Sequence, residues 1–138
     1  MVTGHASATI LPAITVVENT ALDFGQIGAT SAGGAVVIST AGAVSGPAAY
    51  SFSGSPTVGS FTVTGYPNTA VTIAFSSGNI VSGPGAAMPL ESFTHDAGVS
   101  PSLNGGGNLT FVVGATLAVN ANQATGSYSG TYSVTVNY

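Results

Sequence analysis

Apolar and polar side chains alternate along much of this chain, and the alternation is most regular over residues 128–138. One face of that segment carries Tyr128, Gly130, Tyr132, Val134, Val136 and Tyr138. The other face carries Ser127, Ser129, Thr131, Ser133, Thr135 and Asn137. A period of two is typical of a β-strand with one buried face. The pattern therefore predicts a half-buried strand that continues to Tyr138.

Other short apolar runs have the composition of strands. Val, Ile, Thr and Phe dominate them, as a pleated, half-buried surface favours. The runs are residues 35–40, 60–64, 70–75, 108–113 and 116–121. Turns rich in glycine and proline separate them, and no helix-length window has a helical period. We therefore predict an all-β sandwich of seven or more strands. Its core is expected to contain the phenylalanines, which are Phe24, Phe52, Phe61, Phe75, Phe93 and Phe111.

A separate strand is predicted at the start of the sequence. There Val2, Gly4, Ala6, Ala8 and Ile10 alternate with Thr3, His5, Ser7 and Thr9. Pro12 interrupts the pattern, because proline cannot donate to a hydrogen-bond ladder inside a sheet. A second short strand is predicted at residues 14–17. The sequence thus predicts an N-terminal extension over residues 1–11 and a single domain over residues 12–138.

Charge is almost absent from the chain. Its 138 residues include no lysine, no arginine and only four carboxylates, so 3% of them are charged, where about 25% is usual. A chain without cations cannot neutralise phosphates or dock on anionic lipid. No apolar run approaches the ~20 residues of a membrane-spanning helix. We expect neither a nucleic-acid partner nor membrane insertion, and the absence of cysteine excludes disulfides and thiolate sites.

The few reactive side chains do not form a catalytic motif. His95 and Asp96, with Glu91 nearby, form the only cluster that suggests a base or a metal ligand, and a structural role in a loop near a turn is the favoured interpretation. Asp23 is expected to cap a turn. The glycines at 105–107 lack the lysine and the following helix of a phosphate-binding loop. We predict no enzymatic activity, no cofactor and no metal site.

A secreted adhesin or carbohydrate-binding β-sandwich module is the alternative to a purely structural role. Carbohydrate-binding domains expose aromatic platforms. Because this chain has no tryptophan, that role would fall to Tyr50 or Tyr66, since tyrosine tolerates partial exposure.

Three stretches of the sequence resemble a known group of bacterial proteins. They read SATILPAITVVENTALDFGQIG, FTVTG and VGATLAVNANQATGSYSGTYSVTVNY. The sequence resembles a family of secreted domains of unknown function that is similar to spore-coat-protein-U-like and chaperone–usher pilin subunits. The resemblance implies an incomplete immunoglobulin-like sandwich, held by a periplasmic chaperone, passed to an outer-membrane usher and completed by a neighbouring subunit. Many such pilins carry a disulfide, which this chain lacks.

The resemblance also implies roles for particular residues. Val2, Gly4, Ala6, Ala8 and Ile10 match a donor strand that enters the neighbouring subunit. Tyr128, Tyr132, Val134 and Val136 match the wall of the acceptor groove.

Strand addition is also expected from the residues themselves. Sheet edges are normally protected by lysine, proline or inward charges, and this chain has no lysine. Undefended edges favour pairing with another chain, where backbone hydrogen bonds give affinity. Together with the resemblance, which implies bacterial secretion through the periplasm, these edges lead us to expect a structural subunit of an extracellular bacterial filament whose partners are identical subunits.

Overall fold

The computed structural model describes residues 1–138 as an all-β chain, which confirms the predicted all-β class. It contains no helix, and so none that is long and apolar enough to cross a membrane. The twelve strands are β1 (Thr15–Thr20), β2 (Gln26–Gly28), β3 (Gly34–Ile38), β4 (Val44–Ser45), β5 (Ser51–Ser53), β6 (Gly59–Thr64), β7 (Thr72–Phe75), β8 (Asn79–Ser82), β9 (Met88–His95), β10 (Asn108–Val119), β11 (Ser129–Gly130) and β12 (Val134–Asn137).

The strands form curled antiparallel sheets. The main sheet has the order β1-β6-β10-β9-β8-β11, and β3 and β4 branch from β10. Two smaller pairs join β7 to β12 and β2 to β5. Only residues 76–78 separate β7 from β8, and only residues 131–133 separate β11 from β12. The β7–β12 pair therefore continues the last edge of the main sheet, and the curled sheet extends from β1 to β11 and β12.

The long strand β10 lies at the centre of the sheet. It pairs with β6 through residues 108–113, with β3 through residues 115–119 and with β9 through residues 113–117. The sequence predicted two strands here, and that prediction was wrong. The strand continues past residue 114 because that residue is glycine. A Cβ at this position would collide with the carbonyl oxygen of Ile38 on the neighbouring strand.

The predicted continuous strand over residues 128–138 is also wrong in detail. It is divided into β11 and β12, because the chain that faces it turns at residues 76–78. At that turn one side-chain bond replaces part of the ladder, since Ser133 N donates to Ser76 Oγ at 2.9 Å, while a backbone bond from Ser76 N to Ser133 O remains at 3.0 Å. The predicted alternation survives the break, because Tyr132 and Val134 are half-buried and Val136 is buried.

Two clusters of seven buried residues each form the core. The first cluster contains Val36, Tyr50, Met88, Leu90, Ala115, Leu117 and Val119. The second cluster contains Phe61, Val63, Val71, Leu103, Phe111, Val113 and Val136. The other four phenylalanines are half-buried and pack against one or both clusters, which confirms that all six contribute to the core.

Residues 1–10 lie outside this core. Every one of them is exposed, with Val2 at 95% and Ile10 at 89% of full exposure. They form no strand and make no hydrogen bond within the chain. The apolar face predicted for residues 2–10 therefore has no partner in a single copy of the chain.

Candidate functional site

The two ends of the curled sheet, β1 and β12, cover the same core cluster without pairing. β1 is hydrogen-bonded only to β6, and β12 only to β7. Nevertheless, Ile14 and Val16 from the β1 side and Val134 and Val136 from β12 all pack in the second cluster. We call the gap between these two open edges the seam.

One end of the seam is marked by Tyr138. Its hydroxyl donates to Pro12 O at 2.6 Å and accepts from Tyr66 N at 2.9 Å. Ile14 is close to the same point, since its side chain and the Tyr138 hydroxyl both approach Gly65. The extension therefore leaves the domain at this end of the seam.

The other end of the seam opens into a cleft of about 760 Å³. Residues 21–29, which follow β1, line one wall, and residues 123–130, which precede β12, line the other. Its apolar lining includes Leu22, Phe24, Ile27, Val81, Leu90, Leu117, Val119 and Tyr128. The Tyr128 hydroxyl is fixed, because it donates to Ala124 O at 2.6 Å and accepts from Gly85 N at 3.0 Å.

Tyr132 lies between the two ends and packs against both core clusters. Its ring makes an edge contact with Phe61, at a centroid distance of 6.2 Å, and lies 4.9 Å from the ring of Phe93. Its hydroxyl is buried and has no hydrogen-bond partner. Burial, and to a lesser extent the negative charge of Glu18 on β1, raise the pKa of Tyr132 to about 12. An unsatisfied polar group, the Tyr132 hydroxyl, therefore lies beneath the seam.

We expect Tyr132→Phe to stabilise the single subunit by about 1 kcal/mol or more, because a buried hydroxyl without a partner costs about 1–3 kcal/mol. The pKa also predicts a pH effect. An unfolded tyrosine ionises near 10.0, whereas the folded state holds the proton until about 12. The stability of the domain is therefore unaffected by this titration below pH 10 and decreases as the pH rises through 12.

Urea unfolding at neutral pH and across this alkaline range measures both effects. Tyr66→Phe is the matched control, because the Tyr66 ring is 41% exposed. An unfolding midpoint that falls in Tyr132→Phe would show that the hydroxyl contributes to the fold.

The structure places the predicted acceptor residues along one edge. Tyr132, Val134 and Val136 face the second cluster under the seam, and Tyr128 lines the cleft. The opposite wall was not predicted; it consists of Ile14, Val16, Leu22, Phe24 and Ile27. The apolar alternation at residues 14–17 marks a strand, but a sequence pattern does not identify the distant strand that faces it.

The other candidate residues have local structural roles. Asp23 Oδ1 accepts from Gly25 N at 2.8 Å, the turn cap predicted for it. Asp96 Oδ1 accepts from Val112 N at 2.8 Å, and His95 Nδ1 accepts from Ala97 N at 3.2 Å. Glu91 is exposed on β9. No three His, Asp or Glu side chains are grouped closely enough to hold a metal ion.

Tyr50 and Tyr66, the two tyrosines considered for sugar binding, differ in exposure. Tyr50 is only 7% exposed, and its hydroxyl donates to Ala32 O at 2.8 Å. Tyr50 lies in the loop between β4 and β5, but the prediction that it is available to a sugar is wrong, because its ring belongs to the first core cluster. Tyr66 is exposed. The glycines at 105–107 form a tight turn in which Asn104 Oδ1 accepts from Gly106 N and Asn108 N.

The fold and the seam define an all-β domain of curled antiparallel sheets with two open edges over one core. The chain belongs to the family described as domain of unknown function DUF4402, whose sequence profile matches residues 14–138. The match begins at Ile14, so the extension lies outside it. No curated protein and no solved structure matches the chain.

Proposed function

We propose that this domain is a structural subunit of an extracellular bacterial filament, in which residues 2–10 of one copy fill the seam of the next. One observation carries the proposal. The same chain has an open seam over its core and an exposed, alternating segment without a partner. A strand between two open edges pairs its backbone groups on both sides, which is the strand-addition mode of recognition.

The accessible surface of the chain supports intermolecular burial. The single copy exposes 7878 Å² at a mass of 13.3 kDa, whereas a compact monomer of this mass exposes about 6,500 Å². The excess fits an extended segment that lies off the domain. Inserting that segment into a neighbouring seam removes much of this surface from water, and apolar surface contributes about 25 cal/mol per Å² when buried.

The two edges of the seam have opposite directions. Two antiparallel pairings link β1 to β10 through β6, so β1 and β10 are parallel. Three antiparallel pairings link β10 to β11 through β9 and β8, so β11 is opposite to β10. A strand in the seam is therefore parallel to one edge and antiparallel to the other.

The direction of the inserted strand decides the type of assembly. If it is parallel to β1, its Ile10 end lies at the cleft and its own domain lies beyond that end. The acceptor's extension leaves from the opposite, Tyr138 end. Successive copies then join head to tail in an open chain, whereas the reverse direction brings both extensions to one end and favours a closed dimer. The filament that we propose has the strand parallel to β1.

A register follows from the sizes of the side chains. Residues 2–10 and residues 128–136 each span about 27 Å as strands. Placing Ile10 beside Tyr128 puts the largest side chain of the donor into the cleft of about 760 Å³. The same alignment puts Ala6, a small residue, beside the large ring of Tyr132, and Val2 beside Val136.

The test is a cysteine pair across this register, which is clean because the chain has no cysteine. In the double variant Thr3→Cys, Thr135→Cys the two positions lie opposite each other on the outer face. Opposed residues of antiparallel strands have Cα atoms about 4.5–5.5 Å apart, which suits a disulfide. We expect oxidised protein to give a reducible ladder of many steps on a denaturing gel.

The matched control is Thr3→Cys, Thr131→Cys, which shifts the pair by about 13 Å along the strand. That separation exceeds the reach of a disulfide, about 7 Å between Cα atoms, so no ladder is expected. A ladder that stops at dimers would contradict the open chain. If both variants gave only monomers, strand donation would be contradicted. The alternative, a binding module that is complete in a single copy, would then be favoured.

A secretion partner and an extracellular location are part of the proposal. The open edges of a free subunit are templates for uncontrolled pairing. A periplasmic chaperone that covers the seam before assembly, and an outer-membrane usher that releases it, meet that need. The lack of lysine and arginine also leaves trypsin-like proteases without a cleavage site, which suits an exposed polymer.

A further inference from the structure

The hydroxyl of Tyr138 holds the point where the extension leaves the domain. It donates to Pro12 O at 2.6 Å and accepts from Tyr66 N at 2.9 Å. Residues 1–13 make no other hydrogen bond within the chain. We call this three-residue contact of Tyr138, Pro12 and Tyr66 the latch. It ties Pro12, where the extension joins the domain, to the segment that follows β6.

Gly65 makes room for the latch. A Cβ at this position would lie 2.8 Å from Tyr138 Oη and 2.9 Å from Leu103 Cδ1. Both distances are shorter than ordinary van der Waals contact. The Tyr138 side chain thus occupies a space that only glycine leaves open.

The extension also has no tight turn that would return it along its own β1. Two-residue hairpin turns need positive φ angles and favour Asn, Asp or Gly. Residues 11–14 are Leu, Pro, Ala and Ile, and the proline ring fixes φ near −65°. The segment before β1 therefore favours an extended exit over a hairpin.

We infer that Tyr138 is a positioning residue that closes its end of the seam and so directs the extension to another copy in open, head-to-tail order. The inference rests on the proposed function. In a closed dimer the incoming Ile10 lies at the Tyr138 end, where the acceptor's own Pro12 is held by the latch. In the open chain Ile10 arrives at the cleft and the smaller Val2 lies near the Tyr138 end, so the latch disfavours the closed dimer more.

The test compares Tyr138→Phe with Tyr66→Phe, which leaves the Tyr66 backbone N–H and hence the latch intact. Each protein is refolded, and native mass spectrometry measures the ratio of closed dimers to longer polymers. Tyr138→Phe loses both latch hydrogen bonds, and loss of the one to Pro12 O, which holds the extension, is expected to raise this ratio about threefold to tenfold. Tyr66→Phe is expected to leave the ratio unchanged. An equal ratio in both variants and the parent would overturn the inference.

A second measurement does not depend on polymerisation. In monomers that carry Ala6→Arg in the extension, the latch should order Ala13, giving an NMR order parameter of about 0.8. Adding Tyr138→Phe is expected to lower it below about 0.6, and adding Tyr66→Phe is not. An unchanged order parameter would refute the latch even if the parent forms filaments. Absence of polymer from the parent, with the latch still detected, would instead refute the proposed function.

Discussion

Replacing Val136 with aspartate is expected to prevent folded subunits from accumulating. Val136 is 6% exposed and belongs to the second core cluster. The change removes an apolar contact and buries a carboxylate in a chain that has no lysine or arginine to pair with it. Such a charge costs several kcal/mol, against a total stability of about 5–15 kcal/mol for an ordinary domain. The yield of soluble protein and its urea midpoint measure the effect.

Thr135→Asp is the matched control for this prediction. Thr135 is the neighbouring residue on β12, and its side chain is exposed. The same charge is therefore expected to be tolerated there. If Val136→Asp folded as well as Thr135→Asp, the inner face of β12 would be solvated, and the alternation would be wrong by one residue.

Replacing Ala6 with arginine is expected to abolish polymers without weakening the subunit. Ala6 is exposed in a single copy and contacts no core residue, so the urea midpoint of the monomer should not change. In the proposed register its side chain lies beside Tyr132, where the arginine would both collide with the ring and bury a charge. Electron microscopy for filaments, with the unfolding curve of the monomer, tests the two halves of this expectation.

Ser7→Arg adds the same side chain one residue further along the extension. There it points to the outer face of the inserted strand, so polymers are expected to form. Polymers from Ala6→Arg as abundant as those from Ser7→Arg would show that Ala6 does not enter the seam.

Local patterns predicted the local parts of this fold. The run at residues 60–64 lies within β6, and the cap role of Asp23 follows from the turn that it precedes. Glycine caused one of the errors, because a glycine can end one strand and permit another to continue. At Gly114 it gives β10 room against Ile38, and a pattern read along one strand does not show the neighbour that requires it.

Contacts between distant residues explain the other differences. The resemblance implied that Val134 and Val136 line one wall of a groove; in the structure they share a core cluster with Ile14 and Val16, which lie more than a hundred residues away in the sequence. Tyr50 was expected in a loop, and it is buried because β10 and β3 bring core residues around it. The position of each wall depends on how the sheet curls, which follows from the pairing of all its strands.

The continuity of β10 has a consequence for how the domain unfolds. Phe111 and Val113 belong to the second core cluster, and Ala115, Leu117 and Val119 to the first. One uninterrupted strand therefore contributes side chains to both clusters of the core. If β10 separates from one cluster, its contacts with the other cluster are disrupted as well. We therefore expect the two clusters to unfold as a single cooperative unit, with neither melting alone.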